Sequence, residues 1–130
     1  DEKRFLPQIV IACLKDESFE TTEGRQLRDF CYVDDVVDGL IKSAVTPQAK
    51  GHIFNIASGK PVLIRDMIDE IVGIIGKGKP ILGARPYRVG EHMELFADIN
   101  LAKDLLCWKP RIAQKDGLIR TIDYYKGVVG

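Results

Sequence analysis

What this chain lacks narrows the field first. It carries no excess charge of either sign: 19 Lys and Arg offset 19 Asp and Glu, for a formal net charge of +0. Proteins that grip nucleic acid usually carry a basic excess, so that class is disfavoured. No apolar run approaches the ~20 residues needed to cross a bilayer, and no secretory signal pattern opens the chain. Cysteine is sparse. Cys13, Cys31 and Cys107 are odd in number and show no C-x-x-C spacing, which reads as reduced thiols in a cytoplasmic protein. His52 and His92 stand far apart, and no zinc-like cluster surrounds either, so no metal site is expected.

What is present describes an ordinary globular chain. At 130 residues, 45% apolar and 29% charged, it has enough material for one domain with a core over 1–130. It starts at Asp1 rather than Met, which suggests a chain trimmed, processed or cut from something longer.

Periodicity sketches the elements. Leu6, Ile9, Val10, Cys13 and Leu14 mark one face of a helix, with Pro7 harmless in its first turn. Phe19–Thr22 and Arg28–Val33 are β-prone runs around a turn at Gly24, a hairpin pattern over 19–33. Asp34 and Asp35 are placed to cap a helix carrying Val36, Val37, Leu40, Ile41 and Ala44. Residues 52–57 read as a buried strand of parallel type, closed by Ser58-Gly59. Ile64 to Ile75 shows a long helical pattern that stops at Gly76 and Gly78. Pro80–Leu82 suggests a short strand and Arg85–Leu95 an irregular loop. Asn100 is placed to cap a short helix ended by Trp108-Lys109-Pro110. A last helix runs from about Gln114 to Tyr125. The expected class is α/β, helix-rich, with a few short strands. A lone parallel strand needs neighbours, so its sheet partners are expected on another segment or on a second copy of the chain.

Five short motifs then occur in a familiar order. They are Arg28-Asp29-Phe30-Cys31-Tyr32-Val33-Asp34-Asp35, Phe54-Asn55-Ile56-Ala57-Ser58-Gly59 and Arg88-Val89-Gly90-Glu91. They continue with Ala97-Asp98 through Leu106-Cys107-Trp108-Lys109-Pro110, and Asp116-Gly117-Leu118 to Thr121-Ile122. In this order the chain resembles the C-terminal part of extended short-chain dehydrogenase/reductases, the NAD-dependent epimerase/dehydratase family that acts on nucleotide sugars. The resemblance implies a substrate-binding part without the main Rossmann sheet. NAD or NADP is implied for the complete family enzyme. The family's glycine-rich cofactor loop and its Tyr-x-x-x-Lys are not among these residues. Gly73 to Gly78 spells G-x-x-G-x-G, but at the end of a helix pattern, where no phosphate meets a helix N-terminus.

The resemblance assigns roles residue by residue. Arg28 and Arg88 correspond to arginines that clamp the nucleotide diphosphate, a role suited to the planar donor fork of guanidinium. The plain alternative makes each a surface charge or a partner of Asp29 or Glu91. Arg4, Phe5, Glu20 and Thr22 correspond loosely to positions that touch the nucleobase. Asn55 more simply satisfies backbone groups, and Trp108 anchors a core. The chain departs from the family at Leu63, where a Ser or Thr cap is common, at Cys107 in place of glycine, and at Ala57 in place of glycine. The functional expectation is a nucleotide-sugar-binding part that does not catalyse alone. The alternative is a freestanding, non-catalytic binding or self-assembly module, and a homo-oligomer, with or without exchanged elements, is expected. No nucleic-acid or membrane partner is expected.

Overall fold

The apolar face read at the start of the sequence forms α1 (Phe5–Leu14), which buries Ile9, Val10, Ala12 and Cys13. The computed structural model describes residues 4–130, and these form two compact units. One contains the chain up to Gln26, Leu63–Met93 and Lys115–Gly130; the other contains Leu27–Val62 and Glu94–Gln114.

In the first unit α1 packs against α3 (Ile64–Ile75), which buries Ile64, Met67, Ile68 and Ile71. The i, i+3, i+4, i+7 spacing puts all four on one stripe. α5 (Gln114–Val129) adds buried Leu118 and Ile122. β1 (Ser18–Glu20) runs parallel to β4 (Lys79–Ile81), with Phe19 opposite Pro80. Gly76 ends α3 in the left-handed conformation at φ 77°, so the glycine cluster at 73–78 is a helix stop. Gly78, at φ 112°, lies so close to α1 that an added Cβ would stand 2.5 Å from the Cys13 sulfur.

The second unit is built around Trp108, which is fully buried with Ala49, Ile99, Ala102 and Leu106. β2 (Leu27–Asp29) is the middle strand of three, in the order β3-β2-β5, with β3 at Pro61–Leu63 and β5 at Glu94–Leu95. β2 and β5 are parallel, with Arg28 opposite Leu95. α2 (Val33–Val45), a 3-10 turn at Pro47–Ala49 and α4 (Asn100–Leu106) complete the unit.

The expected α/β, helix-rich class with short strands holds, but several details differ. The hairpin over 19–33 does not form, because β1 pairs with β4 and β2 with β3 and β5. The intervening loop is drawn onto the start of α3: Gly24 and Gln26 offer their carbonyls to the N–H groups of Arg65 and Ile64, both at 2.9 Å. Those are donors a helix start leaves without partners, and Leu63, at the N-cap, supplies no side-chain cap. Residues 52–57 are not a strand. Phe54, Ile56 and Ala57 pack on the Trp108 core, while Ile53 is 91% exposed. A strand exists only where neighbouring backbone completes its ladder, and this segment has no such ladder among the described residues.

Two caps also differ. Tyr32, not an aspartate, precedes α2, and Asp34 and Asp35 fall inside its first turn. Ile99 precedes α4, and Asp98 accepts from the Asn100 N–H at 2.8 Å.

Candidate functional site

Arg28 and Asp29 of the R-D-F motif end the middle strand of the second unit, and the two charged residues do different work. Asp29 is the anchor. Its two carboxylate oxygens accept from the backbone N–H groups of Ser58 at 2.7 Å and Gly59 at 2.9 Å. One side chain thus ties the first family motif to the second, and charge-assisted bonds of this kind are strong. Gly59 is needed at that turn, at φ 70° and with Ile99 3.1 Å from where a Cβ would be. Arg28 is half-buried on the same strand, with Nη1 donating to the Leu27 carbonyl at 2.8 Å.

Asp35 is the other structural acid of the motif. It is 4% exposed. Its carboxylate accepts from the Arg111 and Ile112 N–H groups, both at 3.0 Å, and its carbonyl accepts from the indole N–H of Trp108 at 3.0 Å. Cys31 lies near both acids. Burial first, and then the negative charge of Asp35 and Asp29, pushes its thiol up to about 11. Gly39 brings α2 close to Ile56 and Trp108, where a Cβ would sit 2.9 and 3.2 Å from them. Asn55 donates to the Asp98 carbonyl at 3.1 Å.

In the first unit, two loops carry the remaining candidates. Glu20 ends β1 and pairs with Arg85 at 3.6 Å. The Thr22 hydroxyl accepts from the Gly24 N–H and donates to Gln26 Oε1, both at 3.2 Å, so it shapes the turn it stands in. Gly24 is held at φ 71°, with an added Cβ 2.7 Å from the Arg65 nitrogen. The second loop follows β4. Arg85 donates its N–H to the Thr21 carbonyl at 3.0 Å, and the Tyr87 hydroxyl accepts from the Arg25 N–H at 3.2 Å. Arg88 follows, exposed, in a turn closed by the Glu91 N–H on its carbonyl at 3.0 Å. Gly90 supplies the positive φ of 77° which that turn requires. Glu20, Thr22 and the arm bearing Arg88 are therefore joined in one unit. Arg4 and Phe5 open α1 of that unit, and Arg28 belongs to the other.

Three contributors escaped the sequence reading: Asp29, Tyr87 and Asp98. Asp29 is detectable in the sequence, since neighbours on a strand face opposite ways and it adjoins Arg28 in the R-D-F motif. Tyr87 and Asp98 act across loops, and no spacing announces that. An open cavity of about 350 Å³ in the second unit is edged by Ser58, Lys60, Asp98, Asn100 and Lys103. None of the expected ligand contacts lines it. Among the described residues no cluster of His, Cys, Asp and Glu could hold a metal ion, and no helix is long and apolar enough to cross a membrane.

Among the described residues the chain is of α/β class, with five α-helices and short strands. Comparison with known proteins gives the family. The profile of the NAD dependent epimerase/dehydratase family matches residues 1–57. The UDP-glucuronate 4-epimerase of Thermodesulfobacterium geofontis is 36% identical over 106 residues, 80% of this chain and 32% of that protein. The UDP-glucose 4-epimerase of Mycolicibacterium smegmatis is 29% identical over 105 residues, 80% of this chain and 33% of that protein. Among solved structures, MoeE5 in complex with UDP-glucose and NAD superposes with a TM-score of 0.90 at 25% identity, over 100% of this chain and 44% of that one. UDP-glucuronic acid 4-epimerase from Bacillus cereus, in complex with UDP-glucuronic acid and NAD, gives 0.86 at 28%, over 98% and 41%. The chain belongs to the NAD-dependent epimerase/dehydratase family and spans about a third of the length of these curated relatives.

Proposed function

We propose that this chain is the nucleotide-sugar-binding part of an epimerase or dehydratase and does not turn over substrate alone. The observation that carries the reading is the Asp29 anchor. A carboxylate fixed by two backbone N–H groups holds the central strand rigid, and Arg28 rides on that strand. A guanidinium on a rigid element loses little freedom when it takes a phosphate, and Arg88 offers a second one from an exposed turn. Solved relatives carry UDP-glucose or UDP-glucuronic acid together with NAD.

The residues present do not fit the cofactor. The one glycine cluster ends a helix, and no Tyr-x-x-x-Lys occurs in these 130 residues. NAD or NADP, and the proton and hydride chemistry, are assigned to the remainder of the family architecture. Here the chain binds and orients.

Calorimetry with UDP-glucose and UDP-glucuronic acid tests this. Heat in the micromolar range is expected for one of them, with Arg28→Ala and Arg88→Ala each weakening it roughly 10- to 100-fold, the worth of a charged hydrogen bond. No heat with either ligand overturns the binding role. Interconversion of nucleotide sugars by the purified chain overturns the non-catalytic part.

A second reading, a freestanding self-assembling module, is favoured by one specific observation: α2 turns its apolar side outward.

A further inference from the structure

Arg88 stands on an arm, residues 82–93, that forms no helix or strand. Of residues 81–90, Tyr87 alone is half-buried and the others are exposed. Two hydrogen bonds tie this arm to the loop at 21–25. The Arg85 N–H donates to the Thr21 carbonyl at 3.0 Å, and the Arg25 N–H donates to the Tyr87 hydroxyl at 3.2 Å. The first is a backbone bond that any residue at 85 other than proline could make. The second needs a particular side chain, and that side chain adjoins Arg88. The ion pair of Arg85 with Glu20, at 3.6 Å between groups 63% and 58% exposed, adds little.

The far side of the tether is firm. Arg25 lies between Gly24 and Gln26, whose carbonyls accept from the Arg65 and Ile64 N–H groups at the start of α3, both at 2.9 Å. α3 in turn buries Met67, Ile68 and Ile71 completely. A connected path therefore runs from the core through α3 and the loop to the Tyr87 hydroxyl. One residue further on, the Glu91 N–H closes the Arg88 turn on the Arg88 carbonyl at 3.0 Å. An arm that is loose before binding must lose its freedom when a ligand orders it. Fixing one residue's backbone in advance is worth about tenfold in an equilibrium constant.

We propose that Tyr87 is the positioning residue for the second phosphate contact: its hydroxyl, latched to the Arg25 N–H, holds the turn that presents Arg88. This rests on the nucleotide-sugar reading above and adds to it a residue that does not itself touch the phosphate.

An NMR titration of the full chain with UDP-glucose and UDP-glucuronic acid, which reaches weak binding, tests the proposal as a double-mutant cycle. With the sugar nucleotide that the wild type binds, Tyr87→Phe should weaken affinity about three-fold and Tyr87→Ala about tenfold, the range of one hydrogen bond lost to an ordered segment. In the Arg88→Ala background both substitutions should change nothing further, because their effect passes through Arg88. Amide hydrogen exchange of the unliganded chain gives a second readout. Tyr87→Phe should speed exchange at Arg25 and Glu91 and leave Ile68 and Ile71 unchanged, whereas general destabilisation would move all four. Equal weakening with and without Arg88, no weakening in either background, or unchanged exchange at Glu91 overturns the proposal while leaving nucleotide-sugar binding intact. A wild type that binds neither ligand overturns the reading beneath it, and the positioning role with it.

Discussion

Cys107 shows how much one backbone angle can reveal. It occupies the left-handed C-cap of α4 at φ 49°, where a β-carbon crowds the following carbonyl at a cost of roughly 1–2 kcal/mol. The family pattern has glycine there. Cys107→Gly should therefore raise stability by about 1 kcal/mol in urea denaturation, with an unchanged m-value. Asp35 is the opposite case. Removing its carboxylate strands two backbone donors, so Asp35→Ala should cost on the order of 3 kcal/mol. Both acids following Tyr32 looked like caps in the sequence. Only the fold shows that Asp35 reaches 76 and 77 residues along the chain, to Arg111 and Ile112. The three thiols differ in access, with Cys107 exposed and Cys13 buried. A thiol reagent at pH 8 should label Cys107 rapidly and Cys13 only on unfolding.

At the scale of elements, helices were legible and strand pairing was not. The faces of α1 and α3 appear in the spacing of Leu6 to Leu14 and Ile64 to Ile75, because a helix satisfies its hydrogen bonds locally. The strands are three residues or fewer, too short to specify a partner, and their ladders join distant segments. The glycines at the loops follow the same division. Gly76 reads as a helix stop in sequence. Gly78 matters for a reason no local pattern contains, its approach to Cys13 on α1. Gly78→Ala combines a positive φ of 112° with a 2.5 Å overlap. It should destabilise by about 2 kcal/mol or more, measured by thermal unfolding, whereas Gly73→Ala, with nothing within 4 Å, should be neutral or slightly stabilising.

For the whole molecule, pH dependence follows from two thiols. Cys13 is raised from 9.0 to about 11 by burial, and Cys31 to about 11 by burial and by Asp35 and Asp29. A raised acid keeps its proton longer in the folded chain than in the unfolded one. Stability from these groups is full below about pH 9 and declines between 9 and 11, where the unfolded chain loses protons that the folded chain retains. Cys13→Ala/Cys31→Ala should flatten that decline in denaturation curves taken at pH 8 and pH 10.5. The same scale separates the functional assignments. Arg28 stands on a strand of one unit and Arg88 on a loop of the other, so phosphate binding is tested through both residues rather than inferred from either.

By itself the sequence determined the helices, the glycine stop after Ile75, the α/β class and the family, because helical periodicity and ordered motifs are written in neighbouring residues. Only the tertiary structure decided which strands pair, that residues 52–57 form no strand, that Asp29 and Asp35 are anchors, and that α2 faces outward. Those outcomes depend on backbone and side-chain groups that meet after 29 to 77 residues of intervening chain, and nothing local in the sequence encodes such a meeting.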